Sequence, residues 1–197
     1  MNLGTFARDL TGDGKLEILR LVGSGPTFDS LGVTFTIESE GQILFQIQMA
    51  PLTRVGGFDV GRRRLTEAEY RARLNDFPKS FFAEIKFLSP RDFVERLRGS
   101  APLHISRITE VIARDRRKQL VVDSLLSIGL RRPEAERRAA ASRPSLIGDD
   151  SLHAAATWQE IQRTGVTVFE FSPGGDAIYP IAWSTRERRF YRLVECC

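Results

Sequence analysis

Cysteine and histidine are scarce in this chain of 197 residues: two cysteines, adjacent at Cys196 and Cys197, and two histidines, His104 and His153. Neighbouring cysteines close only a strained bridge, so they build no disulfide scaffold and leave free thiols or an intermolecular disulfide. The histidines lie in different segments with no cysteine beside them, which leaves no ligand spacing for a zinc cluster. No apolar run approaches the ~20 residues of a membrane-spanning helix. Gly23-Ser24-Gly25 is followed by no Gly-Lys-Ser/Thr, and Ser172-Pro173-Gly174-Gly175 lacks the pattern of a nucleophile elbow. No catalytic constellation and no enzyme class is indicated. Residues Met1 to Asp9 carry neither a basic stretch nor an apolar core of a secretory signal. That is consistent with a cytoplasmic chain or with a mature form whose signal has been removed.

What is present is the composition of a soluble globular protein, 42% hydrophobic and 27% charged. The length suffices for one substantial core without disulfide staples, and a single domain over 1–197 is expected. Residues 1–50 read as a β-meander. Val33, Phe35 and Ile37 alternate with Thr34 and Thr36; beyond Ser39-Glu40-Gly41, Ile43, Phe45, Ile47 and Met49 alternate with Gln42, Gln46 and Gln48. One face is apolar and must be covered by another layer. A connector over 51–65 holds Gly56, Gly57, Gly61 and the basic run Arg62 to Arg64.

A helical segment follows over 66–163. Thr66 and Glu69 make a capping box, Ser89 with Pro90 and Asp92 a second helix start, and Pro78 ends or kinks the first helix. Phe77, Phe81, Phe82, Ile85, Phe87 and Leu88 read as core against the sheet. A long helix is expected from about Leu103 to Ile128, its middle turns exposed at Arg114 to Gln119. A short polar helix follows from Glu134 to Ala141, and a last one is capped by Thr157 and Glu160. Three strands then form a second meander over 166–195. The fold class is therefore α+β: two antiparallel meanders in one sheet or barrel-like core, with the helices packed on it.

The stretch Asp9-Leu10-Thr11-Gly12-Asp13-Gly14-Lys15-Leu16-Glu17 carries the recognisable chemistry. Oxygen-bearing side chains recur at Asp9, Thr11, Asp13 and Glu17, and the backbone carbonyl of Lys15 completes the series. A tight loop turns such a set onto one hard cation, and Gly14 stands where these loops bend sharply. The EF-hand pattern fails, because Arg20 falls where a bidentate Glu is required. The string resembles the calcium loop of FG-GAP and VCBS repeats, the integrin-type motif Asp-x-Asn/Asp-x-Asp-Gly-x-x-Asp. Asp9, Asp13 and Gly14 match; Thr11 replaces Asn or Asp, and Glu17 replaces Asp. The resemblance covers about residues 5 to 22 and occurs once, so it implies no propeller; it implies a structural Ca2+. A metal-free turn is the competing reading, since Asp, Thr and Gly also form ordinary turns.

From His104 to Arg143 the chain holds ten Lys or Arg and five Asp or Glu, against a whole-chain balance of +4. The basic character belongs to the helical segment. Two functions follow as expectations. The first is a noncatalytic, calcium-stabilised structural or protein-binding module of unknown partner, extracytoplasmic (bacterial-type secreted or periplasmic), because weak calcium sites fill where calcium is abundant. The second is a cytoplasmic adaptor that binds nucleic acid or another polyanion through Arg114, Arg116, Arg117, Lys118, Arg131 and Arg132. No helix-turn-helix or RNA-binding signature accompanies those cations.

Overall fold

A computed structural model describes residues 1–25, 30–49, 66–100, 105, 107–142, 148–174 and 177–194. The basic connector over 51–65, His104, Arg143-Pro144, Gly175-Asp176 and both cysteines lie outside the described residues. The first meander consists of β1 (Asn2–Arg8), β2 (Glu17–Ser24), β3 (Gly32–Ser39) and β4 (Gln42–Met49), paired in that order and antiparallel throughout. Alternation fixes the faces of β2 and β3 as the sequence predicts: Leu19, Leu21, Val33, Phe35 and Ile37 are fully buried, while Arg20 and Thr34 take the other side. In β4, Phe45, Ile47 and Met49 meet the core and Gln46 takes the other side, but Ile43, beyond the register shift at Ile37/Glu38, is 52% exposed.

The helical segment opens with α1 (Glu67–Phe81), whose capping box is closed by Glu69 N–H donating to Thr66 Oγ1 and Thr66 N–H to Glu69 Oε2. The helix passes through Pro78 and ends three residues later. A single 3₁₀ turn at Glu84–Lys86 leads into β5 (Phe87–Leu88), a strand inside a region expected to be helical. Phe77, Phe81, Phe82 and Phe87 are buried as expected, but Ile85 is 71% exposed. Next come α2 (Pro90–Ser100), α3 (Ile108–Ser127), α4 (Arg132–Ser142) and α5 (Gly148–Arg163). The last meander, β6 (Val168–Gly174), β7 (Ala177–Ser184) and β8 (Arg189–Arg192), joins β5 in a second antiparallel sheet ordered β5-β6-β7-β8.

The protein is thus α+β, and the strands among the described residues make two four-stranded sheets around one core in place of a single sheet. Large rings explain the stacking: two apolar sheet faces pack about 10 Å apart, and phenylalanine fills that gap. Phe35 of β3 lies 5.7 Å from Phe169 and 5.1 Å from Phe171 of β6. Phe45 of β4 meets Phe190 of β8 at 6.0 Å, and Phe6 of β1 stacks on Phe87 of β5 at 5.2 Å. The C-terminal turn of α1 plugs the sandwich with Phe81, 5.2 Å from Phe35.

The helices α3 and α5 pack on each other and on β8 and β7, and two expectations change here. The middle of α3 is not a solvated face. Asp115 accepts from Arg192 N–H at 3.0 Å and from its guanidinium at 2.9 Å, and Arg116 pairs with Asp150 at 3.3 Å. Partners remote in sequence satisfy charges that the local pattern leaves bare. The expected cap at Thr157 fails likewise, because α5 begins at Gly148 and Thr157 is buried mid-helix, its hydroxyl without a partner among the described residues. The Glu160 carboxylate instead accepts from Ser184 Oγ at 2.7 Å and Thr185 N–H at 2.6 Å, which fixes the β7–β8 turn.

Candidate functional site

The Asp9–Glu17 loop joins β1 to β2 and is shaped by its own carboxylates. Gly12 N–H donates to Asp9 Oδ1 at 2.7 Å and Gly14 N–H to Asp9 Oδ2 at 2.9 Å. Lys15 N–H donates to Asp13 Oδ1 at 2.9 Å, and that bond, first among the causes, holds the Asp13 carboxyl below the usual carboxylate range. Gly12 and Gly14 both sit at positive φ, +74° and +84°, which side chains resist. Lys15 Nζ turns away to Glu40 at 2.6 Å, and this contact raises its pKa.

The five predicted oxygen donors fall into two groups. Asp9 and Asp13 engage solvent-exposed loop amides with their carboxylates, and the Lys15 backbone follows Asp13 in the same turn. Glu17 and Thr11 face inward. Glu17 is fully buried; its Oε2 accepts from Leu10 N–H at 2.7 Å and Thr11 N–H at 3.2 Å, and its Oε1 from the Thr11 hydroxyl at 3.2 Å. Ser39 Oγ adds a longer contact at 3.5 Å. A sequence signal for this existed: Glu17, Leu19 and Leu21 alternate, so Glu17 shares the inward face of β2. As a test of fit for calcium, Asp9 and Asp13 carry hard oxygens of the type such an ion takes, but both Asp9 oxygens and Asp13 Oδ1 already accept loop amides. Glu17 is committed to the protein interior, and no three acidic or histidine side chains cluster as a ligand set among the described residues.

The loop also reaches the second sheet. Thr167, at the entry to β6, donates its N–H to the Leu10 carbonyl at 3.2 Å and its hydroxyl to the Asp9 carbonyl at 3.1 Å. Gly12 packs so closely on the segment leading into this strand that a Cβ would lie 3.0 Å from Gly165 C and Val166 N. Thr167 carries no local sequence signal for this role, since its partner is 158 residues away. The hairpin loop is therefore a clasp between the two sheets.

The six cations of the basic face do not form one free surface. Arg114 pairs with Glu110 at 2.5 Å, Arg132 with Glu136 at 3.8 Å, and Arg116 with Asp150 and, at 3.9 Å, Glu187. Arg117, Lys118 and Arg131 have no carboxylate partner among the described residues. Elsewhere an open depression of about 250 Å³ is lined by Asp149, Leu152, His153, Ala156 and Arg186. His153 Nδ1 there stands 3.2 Å from the Arg186 guanidinium. Compared with known protein families, with curated proteins and with solved structures, the chain matches none.

Proposed function

We propose that the chain is a noncatalytic, calcium-stabilised structural or protein-binding module that works outside the cytoplasm, with the Asp9–Glu17 loop as its clasp. The supporting observation is the double attachment of that loop: Glu17 ties it to its own hairpin, and Thr167 ties it to the second sheet. A Ca2+ on this loop would be held from the outer side by Asp9 and Asp13, with the Lys15 carbonyl, as further hard-oxygen contacts beside the loop amides these carboxylates already accept. Thr11 and Glu17 leave the proposed ligand set and support the loop from within.

Thermal melting under calcium titration tests this, because a ion that binds the native state alone raises apparent stability by mass action. The intact protein should melt higher with calcium, and Asp13→Ala should lose that rise. Glu17→Gln should melt lower by the same amount with and without calcium. A melting temperature of the intact protein indifferent to calcium would remove the ion from the proposal. A Glu17→Gln variant that is normal without calcium and deficient with it would restore Glu17 as a ligand.

A second reading, an adaptor for nucleic acid or another polyanion, is supported by Arg117, Lys118 and Arg131, which have no carboxylate partner among the described residues. Its signature is affinity that falls steeply with salt. Three of its six cations are already engaged by carboxylates, which makes it the weaker of the two.

A further inference from the structure

The C-terminal half of α3 and the whole of α4 leave the main core. They hold a small cluster of their own in which, among the described residues, Val122, Ala135 and Ala139 are buried and Val121, Leu125, Leu126 and Leu130 are packed around them half-covered. Two helices joined by a short turn cannot enclose an apolar seam; one side stays open until a third element covers it. On α3 and its C-terminal cap, Arg117, Val121, Leu125 and Ile128 recur at helical spacing and so form one stripe. Its tip, Ile128, is 70% exposed. Lys118 stands beside the stripe, and neither Arg117 nor Lys118 has a carboxylate partner among the described residues.

Charge decides what fits. From Arg117 to Ser142 there are six Lys or Arg and three Asp or Glu, so this arm carries most of the chain's positive excess. We infer that the α3–α4 hairpin is a docking arm for an acidic amphipathic helix of a protein partner. Such a helix sets its apolar side on Val121, Leu125 and Ile128 and its carboxylates against Arg117 and Lys118, the helix-in-groove mode of recognition. A phosphate backbone gains nothing from the apolar half of the stripe, and the α4 arginines are already engaged, Arg137 and Arg138 by Glu134 and Arg132 by Glu136. The inference rests on the protein-binding part of the proposal above and not on the ion.

The test uses a fluorescently labelled helical peptide built only of Leu, Ala and Glu, with Leu at helical spacing, titrated with the full chain. The same peptide with Lys in place of Glu, a duplex DNA and phosphatidylserine vesicles serve as alternatives. Saturable binding of the Glu peptide is expected, weakened about tenfold or more by Ile128→Ser and by the double change Arg117→Glu, Lys118→Glu. Ile128 is exposed, so circular dichroism and melting of that variant should match the parent. Chelating calcium should leave peptide binding in place, which separates a failure of the clasp from a failure of the arm. No binding, equal binding of the Lys peptide, indifference to the variants, or preference for DNA or vesicles would each overturn the inference.

Discussion

Tyr191 is 1% exposed, yet its hydroxyl has no hydrogen-bond partner among the described residues. Burial, with the nearby Glu187 carboxylate second, pushes its pKa up to about 12 from the ordinary 10.0. A buried hydroxyl without a partner is a cost, since folding strips its water and returns no bond. Tyr191→Phe should therefore be neutral or stabilising, by up to about 1 kcal/mol. The same residue makes a statement about alkali. The native state holds this proton more tightly than the unfolded chain, so its stability is intact below pH 10 and is lost as pH climbs toward about 12. Denaturant melts of parent and variant from neutral to alkaline pH check both points. The parent should weaken above pH 10 more steeply than Tyr191→Phe, and parallel curves would place the hydroxyl in contact with water.

At the scale of elements, the clasp depends on two glycines with different surroundings. Both Gly12 and Gly14 have positive φ, but a Cβ on Gly12 would meet the backbone of Gly165 and Val166, whereas one on Gly14 would meet nothing within 4 Å. Gly14→Ala should cost only the conformational strain, about 1 kcal/mol. Gly12→Ala should cost at least about twice that, because a rigid strand entry must move. Equal losses, measured by chemical denaturation, would mean that the loop does not bear on the second sheet. How far the sequence discloses such elements depends on the range of the interactions that make them. The alternation of β3 and β4 and the Thr66–Glu69 cap were legible because each is local. The two-residue strand β5 exists only through pairing with Phe169 and Val168, so no window of sequence could report it. Thr157 and Glu160 have the spacing of a capping box, but tertiary burial of the first and capture of the second by the β7–β8 turn override it. In the loop the carboxylate pattern was legible and its division was not: alternation with Leu19 already assigned Glu17 to the core.

For the whole molecule, the sheets and the arm differ in what holds them. The two sheets share one aromatic interior and are tied again by the loop at Thr167, so neither can open without exposing the other's rings. The hairpin α3–α4 has a separate cluster whose fully enclosed members are one valine and two alanines. Apolar burial is worth roughly 25 cal/mol per Å², and so small a cluster supplies little of the total. Its root is firmer, because Asp115 and Arg116 of α3 are ion-paired to Arg192 and Asp150. Native-state hydrogen exchange should consequently find two cooperative units. Amides of β3 and β6 should open only with global unfolding, while those of α4 and of α3 beyond Val122 open at a smaller free energy. Val122→Ala, which removes the largest enclosed side chain of the arm at a local cost of about 1–3 kcal/mol, should speed exchange in α4 and leave β3 unchanged. If α4 exchanged as slowly as β3, and the variant lowered protection everywhere alike, the arm would belong to the main cooperative unit and would owe its stability to contacts with that core.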